Sequence, residues 1–151
     1  MGGWRQFERA DPELASFGGE RLNDQVAYLA TVRSDGSPRV HPVSTRIRDG
    51  RLFVWMGPAS PKAHDLRRDG RYGLHSQVLD TSGTGGEFAV SGEAHRVDDP
   101  ALLHMLTRGL PDADRYLVFE LDLNVAMSTV YEEDRVIRRR SEEHTSELQS
   151  R

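Results

Sequence analysis

The chain has 151 residues, 36% hydrophobic and 29% charged, with a net charge of −4 and no cysteine. This mix suits one globular domain with its own core, and it excludes disulfides, thiolate nucleophiles and cysteine-ligated metal sites. No apolar run reaches membrane-spanning length, the opening Met1-Gly2-Gly3-Trp4-Arg5 lacks an apolar signal core, and the acidic balance opposes nucleic-acid binding; a cytoplasmic protein without membrane or nucleic-acid partners is expected.

Residues 1–25 form an N-terminal helical segment by their spacing. Trp4, Phe7, Leu14 and Phe17 recur at helical intervals, Asp11-Pro12 starts a helix, and Gly18-Gly19 is expected to weaken or end it. Residues 26–139 follow as a second region in which the period changes. Ala27–Arg33 is a short apolar run closed by the turn Ser34-Asp35-Gly36-Ser37. Pro38–Arg48 and Arg51–Met56 read as two strands joined by Asp49-Gly50, a strong hairpin signal. Pro61–Asp69 reads as a two-turn helix closed by Gly70, and Tyr72–Val78 as a strand. Asp80–Gly86 is expected to be a flexible Gly-rich loop, a candidate lid. Glu87–Val97 is a long strand, Asp99-Pro100 starts a helix carrying Leu102, Leu103 and Leu106, and Tyr116–Val130 closes the domain with strict alternation through Leu117, Phe119, Leu121, Leu123 and Val125. About six short strands with turn-sized links, plus three short helices, predict a mostly β fold built as an antiparallel barrel rather than a parallel sheet. Residues 140–151 show neither periodicity and resemble the in-frame translation of a short-read sequencing adapter, so the authentic chain is expected to end near Arg139 and His144 is set aside.

Three helices begin with X-Pro: Asp11-Pro12, Ser60-Pro61 and Asp99-Pro100. In the first and third, an aspartate already places a carboxylate at the positive helix end. Ser60 is neutral, and its first turn contains Lys62, the one lysine beside 19 arginines. A cation there opposes the helix dipole unless an anion lies between them, so free N–H groups, a hydroxyl and an ammonium converging on one point suit a phosphate. The ordinary alternative is a plain serine cap beside a solvated lysine; the lone lysine and the preceding hairpin favour the phosphate. On the strand before it, Ser44, Arg46 and Arg48 share one parity, and His41, Val43 and Ile47 the other. Pro42 marks an edge or a bulge, and a bulge would let His41 and Arg46 address one ligand. Trp55 and Met56 either line a flat ring or, more commonly, pack in the core.

Together these residues resemble the pyridoxamine 5'-phosphate oxidase-like family of FMN-binding split β-barrels, from about Ala27 to Val97. The marks are Asp35-Gly36-Ser37-Pro38, the strand through Arg46, Asp49-Gly50-Arg51-Leu52-Phe53-Val54, Ser60-Pro61-Lys62-Ala63-His64-Asp65-Leu66, and Glu87-Phe88-Ala89-Val90-Ser91-Gly92. The resemblance implies a homodimer with the cofactor at the interface, acting on a small-molecule substrate. It implies cofactor-binding roles for His41, Val43, Ser44, Arg46, Trp55, Met56, Ser60, Lys62 and Glu87, with FMN as cofactor or, on the same fold, a deazaflavin coenzyme; a non-catalytic flavin or haem carrier is a further alternative. Glu87 stands where the family commonly has glutamine reaching the other subunit's flavin, and a carboxylate there would repel a reduced, anionic flavin. The oxidase's C-terminal Arg-X-His element has no counterpart here, so pyridoxamine phosphate oxidation is not the activity expected. No general acid or base is assigned. Gly83-Thr84-Gly85-Gly86 lacks the strand-to-helix setting of a dinucleotide fingerprint, and no nucleophile elbow or metal-ligand histidine spacing occurs. His64 is expected to face solvent, and Arg138-Arg139 to be a solvated terminus.

Overall fold

The computed structural model describes residues 2–142. Helix α1 (Trp4–Ala10) buries Trp4 and Phe7. Asp11 then caps α2 (Pro12–Leu22) by accepting from Leu14 N at 3.2 Å. Contrary to the expected break, α2 runs straight through Gly18-Gly19. A Cβ on Gly18 would lie 2.4 Å from Phe88 Cζ, so the missing side chain is what lets that ring pack against the helix. Burial of a phenyl ring outweighs the roughly 1 kcal/mol that glycine costs a helix.

Seven antiparallel strands follow: β1 (Gln25–Val32), β2 (Pro38–Arg48), β3 (Arg51–Met56), β4 (Arg71–Ser76), β5 (Glu87–Arg96), β6 (Leu117–Glu132) and β7 (Arg135–Glu142). Their order is β3-β2-β1-β4-β5-β6-β7, and β3 also pairs with β6, which closes β1 to β6 into a barrel with β7 as an extra strand. The hairpin turn between β2 and β3 works as anticipated, with Asp49 and Gly50 both at positive φ, +52° and +70°. The barrel interior holds Leu29, Leu52, Val54, Val90, Leu121 and Leu123, and the N-terminal helices add Trp4, Phe7, Leu14 and Leu22 to the same cluster. Helix α3 (Pro61–Arg68) packs on β1 and β5. Helix α4 (Pro100–Thr107) brings Leu106 to Phe53, Val97 and Val118 in a second cluster.

Three further expectations change. Alternation on β6 does not run unbroken to Val125: Leu121 and Leu123 are buried, but beyond Asn124 the buried positions become Ala126 and Ser128. The cause is an irregularity opposite Ser91/Gly92, where a Cβ on Gly92 would meet Asp122 O at 2.1 Å. Val125 is thereby turned to the outer face. In β2 the bulge alternative at Pro42 falls away, since Pro42 pairs in continuous register with Tyr28 and His41 with Leu29; the edge alternative holds, because β3 pairs with β2 only from Ser44 onward. Finally, Arg138 and Arg139 belong to β7, which continues through Arg140–Glu142 and pairs along β6. The start of the segment set aside as foreign is therefore in the sheet; residues 143–151, including His144, lie outside the described residues.

Candidate functional site

The loop Gly57-Pro58-Ala59 turns β3 into α3, with Ser60 N donating to Gly57 O at 3.1 Å. Ser60 has extended geometry, and its Oγ accepts from Ala63 N at 3.3 Å, a normal cap. The hydroxyl proton is left for another acceptor. Pro61 has no N–H to satisfy, and the N–H of Lys62, in the first turn, has no intrahelical acceptor. The first turn of α3 contains no acid. Lys62 lines a groove of about 260 Å³ together with Val43, Ser44, Trp55 and Met56, so five of the predicted site residues converge here; Val26, Pro42 and Tyr116 complete it. Met56 and Val43 are themselves core residues, whereas Trp55 is half-buried.

The other predicted residues lie differently. Arg46 points from the outer face of β2, stacks its guanidinium 5.5 Å from the Trp55 ring centre and donates Nε to Asp24 Oδ1 at 2.6 Å. His41 shares its strand face with buried Val43 and Thr45. With the register of β2 unbroken, His41 and Arg46 stay on opposite faces and do not address one ligand. Glu87, at the start of β5, is away from the groove: it accepts from Tyr131 Oη at 3.0 Å and lies 3.8 Å from His75 Nε2. Its carboxylate is thus partnered rather than bare, and that hydrogen bond pushes the Tyr131 phenol up from its ordinary pKa. Sequence reading missed His75 and Tyr131, because the strand pairing that joins them to Glu87 leaves no local signal.

Sequence reading also missed the support beneath α3. Asp65 is buried and accepts from Thr31 Oγ1 at 2.7 Å, Arg39 Nε at 2.8 Å and Arg68 Nη2 at 3.3 Å. Burial alone would raise this carboxyl, but the three donors hold it below the usual carboxylate range. One carboxylate thereby ties α3 to β1 and β2 and fixes where Ser60 and Lys62 sit. His64 is exposed, as expected. The Asp80–Gly86 loop is not free-standing: Asp80 Oδ1 accepts from Ser82 N and Thr84 N, and Arg21 Nε donates to Gly85 O at 3.1 Å.

Beside the groove, the outer sheet face is apolar. Val26, Tyr28 and Val40 are 40%, 45% and 63% exposed. A depression of about 420 Å³ lies between Tyr28, Val40, His75, Ala89, Val125 and Met127. Val26 and Tyr28 are two residues apart on one face of β1, so the groove at Lys62 and this face share a margin. Among the described residues no cluster could hold a metal ion, and no helix is long and apolar enough to cross a membrane.

A family model described as pyridoxamine 5'-phosphate oxidase matches residues 19–129. A search of curated proteins finds no match. Among solved structures, a conserved hypothetical protein from Mycobacterium tuberculosis is 24% identical, with TM-score 0.63 over 78% of this chain and 82% of that one. PhzG from Burkholderia lata, in complex with tetrahydrophenazine-1-carboxylic acid, is 17% identical, with TM-score 0.65 over 93% and 87%. The haem storage protein HutZ from Vibrio cholerae is 16% identical, with TM-score 0.56 over 84% and 92%. At these identities the likeness to the solved structures concerns the fold.

Proposed function

This chain belongs to the pyridoxamine 5'-phosphate oxidase family, and from that premise we propose that it is a homodimeric FMN-dependent oxidoreductase acting on a small molecule, with the flavin at the subunit interface. The observation that carries the reading is the groove at the start of α3. There the one lysine of the chain stands over a neutral N-cap, beside Trp55 and Tyr116, at the margin of an exposed apolar sheet face. The residues suit the cofactor's parts. Lys62, the Ser60 hydroxyl proton and the first-turn N–H would hold a phosphate. Trp55 and Tyr116 offer aromatic surface to a planar ring. Tyr28, Val40 and Met127 offer a second copy of the chain an apolar face to cover, since a patch of this kind on a monomer marks an interaction site. Bound FMN would supply hydride or electron transfer, and the protein would bind, orient and shield it.

A second reading, a haem carrier without turnover, draws on His75. This histidine borders the apolar depression; its Nδ1 lies 2.7 Å from Ser76 O and its Nε2 lies 3.8 Å from Glu87 Oε1, so a haem iron would compete with that carboxylate for the ring. The haem storage protein of Vibrio cholerae shares the fold. A deazaflavin coenzyme on the same fold is distinguished by its spectrum. The test is titration of the purified protein with FMN and, separately, with haemin, followed by gel filtration. Co-elution of FMN with a dimer, and its reduction by a nicotinamide donor, supports the proposal. Retention of haemin with no uptake of FMN overturns it.

A further inference from the structure

Arg46 lies beside Trp55, a wall of the groove, and its charge is already matched by Asp24. The turn from α2 into β1 is latched to β2 at three successive residues. The single Thr45 hydroxyl proton is shared between Leu22 O and, at 3.0 Å, Gln25 O; Arg46 Nε donates to Asp24 Oδ1 at 2.6 Å; Ile47 N donates to Asn23 Oδ1 at 2.9 Å. Asp24 sits at φ +53°, in the left-handed region, which aims its carboxylate at β2. The pair draws the guanidinium over the Trp55 ring, and Trp55 is a wall of the groove. Arg46 is two residues beyond Ser44, another wall, so about 7 Å separates its backbone from the groove. A long side chain covers that distance with ease.

We infer that Asp24 is a specificity-determining residue that sets how strongly this site prefers a phosphorylated ligand. By neutralising Arg46 and holding it on Trp55, it leaves Lys62 as the uncompensated cation at the groove. A site with one net positive charge suits a phosphate monoester held reversibly; freeing Arg46 would add a second cation and tighten the grip on anions alone. The inference rests on the proposed flavin site.

Asn shares aspartate's tolerance of the left-handed region, so Asp24→Asn removes the charge and keeps the turn. Asp24→Gly removes it by a second route that the same backbone conformation accepts. The experiment measures binding of FMN and of riboflavin, which lacks the phosphate, to wild type and both variants at low and high salt. A unit charge acting on a phosphate dianion about 10 Å away in a water-like medium changes affinity roughly fourfold. Both variants are expected to raise the preference for FMN over riboflavin by about threefold or more at low ionic strength, and the gain should fade at about 0.5 M salt. An unchanged FMN-to-riboflavin ratio in both variants, with wild type still preferring FMN, overturns the role of Asp24 alone. If wild type binds neither flavin, the flavin site and the inference fall together.

Discussion

Replacing Asp65 with alanine removes the acceptor shared by Thr31, Arg39 and Arg68. Breaking a fully buried ion pair by deleting one partner costs about 3–5 kcal/mol. Here the donors are not equally buried: the side chains of Arg39 and Arg68 are 22% and 41% exposed, so both regain some water once freed. Thr31 is buried and regains none. A cost of about 2–3 kcal/mol is therefore expected, a large share of the 5–15 kcal/mol by which a domain is stable. Urea unfolding at neutral pH measures it. Asp65→Asn, which keeps an oxygen for Thr31 but loses the charge, should cost less. The pH dependence follows from the lowered carboxyl: its folded-state pKa lies below the unfolded value, so its stabilisation is complete above about pH 4 and is lost as pH falls through the folded value. The gap between wild type and Asp65→Asn should close over that acid range. An alanine variant within about 0.5 kcal/mol of wild type would refute the reasoning, because the carboxylate would then not be what holds α3.

Gly18→Ala places a methyl against the Phe88 ring and should destabilise by about 1–3 kcal/mol; an unchanged thermal midpoint would contradict the packing argument. Tyr28→Arg, on the exposed apolar face, should yield a monomer in sedimentation velocity and weaken FMN uptake while the fold persists; a surviving dimer would exclude this face as the interface. Tyr131 should titrate above an ordinary tyrosine because its hydroxyl donates to Glu87, and Glu87→Ala, which leaves no acceptor, should bring it back down in an ultraviolet pH titration; an unchanged titration would contradict the contact.

The parts of the fold that depend on neighbours in sequence were legible. Asp49-Gly50 both marks and makes the hairpin, and the alternation of Leu52, Val54 and Met56 puts them in the barrel interior. The groove was legible for the same reason: β2, β3 and α3 are consecutive, so Ser44, Trp55 and Lys62 converge through short connections. Features decided across the barrel were not. Gly18 reads as a helix breaker until Phe88, 70 positions later, fills the space above it. The parity change in β6 originates in Gly92 on β5. Strand β7 has only Val136 and Ile137 among its first six residues to suggest a strand, since pairing with β6 and not burial holds it there. The same holds for the ionic contacts: Asp65 is a helix residue like any other until Thr31 and Arg39 meet it, and Arg46 reads as a free cation until the α2–β1 turn brings Asp24 alongside.

The most direct test of the phosphate grip is a paired titration of FMN and riboflavin against wild type and Lys62→Ala. Losing a charged contact to phosphate should weaken FMN by about 1.5–3 kcal/mol, roughly ten- to 150-fold, while riboflavin binding stays the same. Equal FMN affinity in wild type and variant would contradict the account and take Lys62 out of the site.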